Sequence, residues 1–125
     1  MFYYIMKLMP QEIEVWYLIP AIRKALAKIL IKDFDLSQKQ VAVILEITES
    51  AVSQYLKEKR ANELKFSESE KEEIKRTAKK IIADKKNCNK YVYDLTMKFR
   101  GSNNLCKIHK KQDKSLSSTC KICCQ

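Results

Sequence analysis

The sequence predicts an all-α protein, a helical bundle that contains a helix-turn-helix and is followed by a small Cys-rich C-terminal tail. The 125 residues include only one Gly and two Pro, whereas residues that favour helices, such as Lys, Leu, Ala and Glu, are abundant. Several segments also space their apolar residues three and four apart, as amphipathic helices do. The length allows one core and one appendage. We therefore expect a helix-turn-helix domain with an N-terminal arm at residues 1–85 and a basic Cys-rich segment at residues 86–125.

The first helix is predicted from Pro20 to Lys32. Proline lacks an N–H and has a fixed φ, which suits the first turn of a helix. The segment 33–35 contains two aspartates and is expected to end the helix. The predicted buried stripe has three- and four-residue spacing and consists of Ile22, Leu26, Ile29 and Leu30.

Two short helices are predicted next, each opened by a hydroxyl side chain that can accept a bond from a free backbone N–H. Ser37 precedes a helix over residues 38–45, and Thr48 precedes a helix that reaches about Lys57. Ala42 is small enough to let the two helices cross closely. This pattern predicts a tight pair of helices at residues 36–60.

Two further helices follow. Ser67-x-x-Glu70 is a capping box that predicts the start of a long charged helix reaching about Asp84. Its expected apolar stripe is Ile74, Ala78 and either Ile81 or Ile82. Residues 91–99 place Tyr91, Leu95 and Phe99 at four-residue spacing, which favours one more helix before Gly101.

The segment 36–56 closely resembles the Cro/repressor-type (XRE-like) helix-turn-helix of transcriptional regulators. The resemblance rests on the pattern Ser-Gln-x-x-Val-Ala, followed by Ile-Thr-x-x-Ala-Val-Ser-x-Tyr-Leu. Leu18-Ile-Pro-Ala-Ile-Arg23 precedes this motif and Lys59-Arg60 follows it. With these residues included, the chain is similar to small archaeal predicted regulators with Cys-rich C-terminal ends. One position departs from the pattern. Glu46 stands where the turn usually has Gly, and a non-Gly residue in a left-handed turn costs about 1 kcal/mol.

The resemblance implies that the second short helix enters the major groove of double-stranded DNA, with the first supporting it. The groove-facing residues would be Thr48, Glu49, Ser50, Ser53, Gln54 and Lys57. Among these, Ser50, Ser53 and Gln54 are the expected base contacts, because Ser and Gln can hydrogen-bond to base edges. Phosphate contacts that fix register without reading sequence are expected from Ser37, Gln38, Lys57, Lys59 and Arg60.

The charge distribution agrees with an acidic partner. The formal net charge is +10, and residues 86–125 hold nine Lys and Arg against two Asp. Nucleic acid is one such partner. The alternative to sequence-specific DNA binding is a non-enzymatic RNA- or protein-binding helix-turn-helix module in which the basic tail dominates.

The cysteines of the tail suggest a metal site. Cys106-x-x-His109 and Cys120-x-x-Cys123 supply two ligand pairs that can close a tetrahedral zinc site. An alternative set, Cys88 with Cys106, Cys120 and Cys123, would hold an iron–sulfur cluster. Cys124 is a spare ligand in either case. A basic tail without any metal is equally open.

Other function classes are not favoured. The apolar stretches are interrupted by charge before they reach the length of a membrane span, and no signal peptide is expected, so we predict a cytoplasmic protein. A single His and the lack of a Gly-rich phosphate loop argue against an enzyme with a small-molecule substrate. The aromatic residues near the N-terminus would either cap the core or form the seam of a homodimer: Phe2, Tyr3, Tyr4, Trp16 and Tyr17.

Overall fold

A computed structural model describes residues 17–58 and 64–99, which contain five α-helices and no strand. The all-α prediction is therefore confirmed. A short 3₁₀ turn precedes the last helix at Lys85–Asn87. The helices are α1 (Ile19–Phe34), α2 (Gln38–Leu45), α3 (Glu49–Leu56), α4 (Glu68–Ala83) and α5 (Cys88–Phe99).

Helix α1 is the centre of the bundle and packs against each of the other four helices. Its buried face consists of Ala21, Ile22, Leu26, Ala27 and Leu30, whereas Ile29 is half-buried. Pro20 lies in the first turn, as predicted. The helix continues two residues past the approximate end predicted at Lys32, to Phe34, which packs against the core, and ends within the predicted segment 33–35. Asp35 ends it in a left-handed conformation with φ 56°, where its backbone N–H donates to the carbonyl oxygen of Leu30.

Helix α4 begins at the predicted capping box. The Ser67 Oγ accepts from the backbone N–H of Glu70, and the Glu70 carboxylate accepts from the backbone N–H of Ser67 at 2.8 Å. Two of the orphan N–H groups at the helix start are thereby satisfied. The buried residues are Ile74, Thr77, Ala78 and Ile81. Of the two isoleucines that the sequence left open, Ile81 is therefore in the core and Ile82 is half-buried at its edge.

Helix α5 begins at Cys88, three residues before the predicted start at Tyr91. The earlier start buries the Cys88 side chain, which is 4% exposed, in the same core as α1. Thr96 is also buried, and its hydroxyl donates to the carbonyl oxygen of Val92 at 2.9 Å. The packed bundle consequently extends past residue 85, where the sequence suggested a division, and reaches Phe99.

Candidate nucleic-acid interface

Helices α2 and α3 form a compact helix-turn-helix with a three-residue connection, residues 46–48. The Ile47 N–H donates to the carbonyl oxygen of Ala42 at 3.0 Å and closes the turn. Glu46 adopts the left-handed conformation that the motif requires, with φ 56°. Its backbone N–H caps the end of α2 by donating to the carbonyl oxygens of Ala42 and Val43. The glutamate thus does what Gly usually does at this turn.

Hydroxyl side chains fix the starts of both short helices, as predicted. The Ser37 Oγ accepts a hydrogen bond from the Gln40 N–H at 3.1 Å, and the Gln40 carboxamide oxygen accepts one from the Ser37 N–H at 2.9 Å. The Thr48 Oγ1 accepts from the Ala51 N–H at 3.0 Å. Both hydroxyls therefore already work as helix caps, although each keeps an O–H to donate. Exposed Gln38 makes no such cap bond.

One face of α3 is anchored in the core, which fixes the direction of the other. Ala51, Val52 and Tyr55 are buried, and Val52 is completely inaccessible. Leu56, the last residue of α3, is half-buried. A short helix held along three of its eight positions has little freedom to roll about its axis, so the face that its outward side chains occupy is fixed.

Five of the predicted groove-facing residues lie on the side of α3 opposite the buried face or at its C-cap, and the sixth, Thr48, is the N-cap. Thr48, Glu49, Ser50 and Lys57 are exposed, and Ser53 and Gln54 are half-buried. Within the part of the chain that the structure describes, the side chains of Ser50, Ser53 and Gln54 make no hydrogen bond. Their donors and acceptors are therefore available to a ligand.

The accessible face of α3 carries almost no net charge, because Glu49 and Lys57 offset one another. A further exposed cation, Lys39, lies on α2. Lys59 and Arg60, two predicted phosphate contacts, lie outside the described residues. The accessible face of α3 is therefore polar and able to exchange hydrogen bonds.

Two interactions around the helix-turn-helix were missed by reasoning from sequence. The Glu58 carboxylate, just after α3, is bonded by Lys24 and Lys28 of α1. The Asn89 amide of α5 donates to the Glu46 carboxylate at 2.5 Å. The four-residue spacing of Lys24 and Lys28 places both on one side of α1 and is a readable signal. Their partner, thirty or more residues away, is not readable from spacing.

The predicted metal ligands Cys106, His109, Cys120, Cys123 and the spare Cys124 lie outside the described residues. The alternative ligand Cys88 is buried, and that burial, with a smaller effect of the Glu46 carboxylate, raises the pKa of its thiol to about 11. A thiol in this state is a poor ligand unless it leaves the core. Among residues 17–58 and 64–99, no three His, Cys, Asp or Glu side chains are grouped to hold a metal ion.

Comparison of the chain with models of protein families, with curated proteins and with solved structures gives no match. In the described ranges, no helix combines the length and apolar character needed to cross a membrane.

Proposed function

We propose that the protein is a sequence-specific DNA-binding transcriptional regulator that inserts α3 into the major groove. The observation that carries the proposal is the state of Ser50, Ser53 and Gln54. These polar side chains lie on the accessible side of a capped helix whose other side is locked in the core, and their hydrogen-bonding groups are unused within the described residues. Ser and Gln in that position can bond to base edges.

The residues around the polar face support a division between those that would contact bases and those that would contact phosphates. Gln38 at the start of α2 and Lys57 at the C-cap of α3 are both exposed. With the O–H of Ser37, and with Lys59 and Arg60, they would hold the two phosphate backbones and set the register. Glu49 and Thr48 at the start of α3 would lie nearest the base pairs, where a glutamate can accept from cytosine.

The regulator is proposed to act as a cytoplasmic homodimer without enzymatic activity. Two copies would read two half-sites about 34 Å apart, one turn of the duplex. The tail is proposed to bind one zinc ion through Cys106, His109, Cys120 and Cys123, because such a site would supply the folding free energy that a Lys-rich segment lacks. The iron–sulfur alternative requires Cys88, whose burial in the core disfavours it.

A second candidate function has an observation of its own. The accessible face of α3 has no net positive charge, because Glu49 offsets Lys57, whereas non-specific affinity for nucleic acid comes from cations. That balance favours a helix-turn-helix module that binds protein, or RNA through the basic segment 86–125. In this alternative, α3 would not touch nucleic acid.

One pair of variants separates the two functions. Alanine at Ser50 and Gln54 should reduce the affinity for a selected DNA site by 1–3 kcal/mol per lost base contact, on the order of tenfold or more, and leave binding to unrelated DNA unchanged. Deletion of residues 102–125 should preserve the preference for the selected site. If the alanine variant keeps full affinity while the deletion abolishes binding, the protein is an RNA- or protein-binding module and not a sequence-specific DNA-binding regulator.

A further inference from the structure

Glu58 is the first residue beyond the C-cap of α3, and its carboxylate turns back toward α1. Its backbone is left-handed, with φ 58°, and its N–H donates to the carbonyl oxygen of Tyr55 at 3.2 Å. Lys24 Nζ lies 2.5 Å from Oε2 of Glu58, and Lys28 Nζ bonds Oε1. Each carboxylate oxygen thus has its own lysine, and the two lysines are one helical turn apart. We call these three residues the Lys24–Glu58–Lys28 clamp.

The clamp joins the end of the helix-turn-helix to the central helix of the bundle. The Lys24 side chain is only 13% exposed, so its ammonium group is held along the surface of α1 rather than extended into solvent. The hydrogen bonds from Lys24 and Lys28 lower the pKa of Glu58 to about 2. The carboxylate is consequently charged at every pH at which the protein would meet DNA.

A charged carboxylate at this position conflicts with DNA binding unless it is neutralised. Glu58 is adjacent in sequence to Lys57 and Lys59, two of the proposed phosphate contacts. Like charges repel over a Debye length of about 8–10 Å at physiological salt. Without the charges of Lys24 and Lys28, the Glu58 carboxylate would oppose the phosphates that its neighbours attract, whereas the clamp holds it against α1 between two positive charges.

We propose that Lys24 and Lys28 are positioning residues for DNA binding, because they hold the negative charge of Glu58 against α1 and away from the phosphate backbone. The inference rests on the proposed function, because it assigns a role to residues that border the groove-reading helix. In this role Lys24 and Lys28 need not touch DNA. They act by offsetting the charge of the Glu58 carboxylate and holding it against α1.

The test is a rescue experiment on the full chain. Lys24→Gln/Lys28→Gln removes the two positive charges that the clamp sets against the carboxylate, and the triple variant with Glu58→Gln removes the negative charge as well. The matched control is Lys75→Gln/Lys79→Gln, because these lysines have the same spacing on α4, are exposed, and include an ion pair of Lys75 with Glu72. Affinity for a DNA site selected with the wild-type protein is measured at several salt concentrations, with thermal unfolding as a check on folding.

The double variant is expected to bind on the order of tenfold more weakly than the control, with a salt slope smaller by about 0.9, the equivalent of one lost phosphate contact. Adding Glu58→Gln should recover most of the affinity and the slope, although it restores no lysine. Equal affinities of the double and triple variants would overturn the clamp's role and leave the proposed function intact. Failure of the wild-type protein to select any DNA would overturn both.

Discussion

The side-chain amide of Asn89 donates to the carboxylate of Glu46 across 2.5 Å, joining the first turn of α5 to the turn between α2 and α3. The two residues are 43 positions apart in the chain. Glu46 therefore has two functions: its backbone is left-handed so that α3 can follow α2 closely, and its side chain attaches that turn to the last described helix. Cys88, next to Asn89, is buried in the core and secures the same end of α5.

Replacement of Glu46 tests whether the turn is held in its left-handed conformation. Glu46→Gly and Glu46→Ala both remove the bond to Asn89, but only Gly adopts φ 56° without steric cost. The Gly variant should be more stable than the Ala variant by about 1 kcal/mol, measured by urea unfolding. Equal stabilities would mean that the turn does not require this conformation.

Ala42 tests the close crossing of α2 and α3. It is 5% exposed, whereas neighbouring Val43 is 73% exposed. Ala42→Leu should therefore lower the free energy of unfolding by about 1–3 kcal/mol through overpacking, and Val43→Leu, the matched control, should change it by less than about 0.5 kcal/mol. If both variants unfold at the wild-type urea concentration, the two helices do not cross at Ala42.

The pH dependence of stability tests the Lys24–Glu58–Lys28 clamp in the free protein. The pKa of Glu58 is lowered from 4.5 to about 2 in the folded state. A lowered pKa stabilises the fold above the unfolded value, and that contribution is lost as the pH falls toward the folded value. The stability advantage of the wild type over Glu58→Gln should be full near pH 6 and shrink between about pH 4.5 and pH 2.

Urea unfolding of both proteins at several pH values provides the measurement. Because the clamp lies at the surface, the advantage is expected to be small and to decrease with added salt. An advantage that stays constant from about pH 6 to pH 2 would show that the Glu58 carboxylate contributes nothing as an ion.

Much of the fold could be predicted because local signals decide it. Ser37, Thr48 and Ser67 marked three helix starts correctly, since a cap acts on N–H groups only two or three residues away. The ends of helices were less certain. Phe34 and Cys88 extend α1 and α5 beyond the predicted limits because both side chains pack against a core assembled from distant segments.

In the candidate site, too, local features could be predicted from the sequence and contacts between distant segments could not. The outward residues of α3 followed from the helical period once the inward residues were known. Glu58 and Asn89 could not be found in that way, because their partners are determined by how α1 and α5 pack around the helix-turn-helix. Glu58 in particular lies in a stretch whose charges alternate, and nothing in the local pattern distinguishes it from a solvated side chain.

The tail is tested by its metal content. Protein purified without oxygen is expected to contain about one zinc per chain by elemental analysis, and Cys106→Ser or Cys120→Ser should abolish it, because a tetrahedral site needs all four ligands. Cys124→Ser is the control and should retain the metal. Iron with sulfide and a visible chromophore, lost in Cys88→Ser and kept in His109→Ala, would replace zinc with the cluster alternative.

Selection from a pool of random duplex DNA tests the central claim that α3 reads base sequence. The wild-type protein is expected to enrich one motif, arranged as two half-sites about 10 base pairs apart if the protein is a dimer. A variant with alanine at Ser50, Ser53 and Gln54 should bind the unselected pool as well as the wild type does but enrich no motif. Enrichment of the same motif by both proteins, or of none by the wild type, would contradict sequence reading by α3.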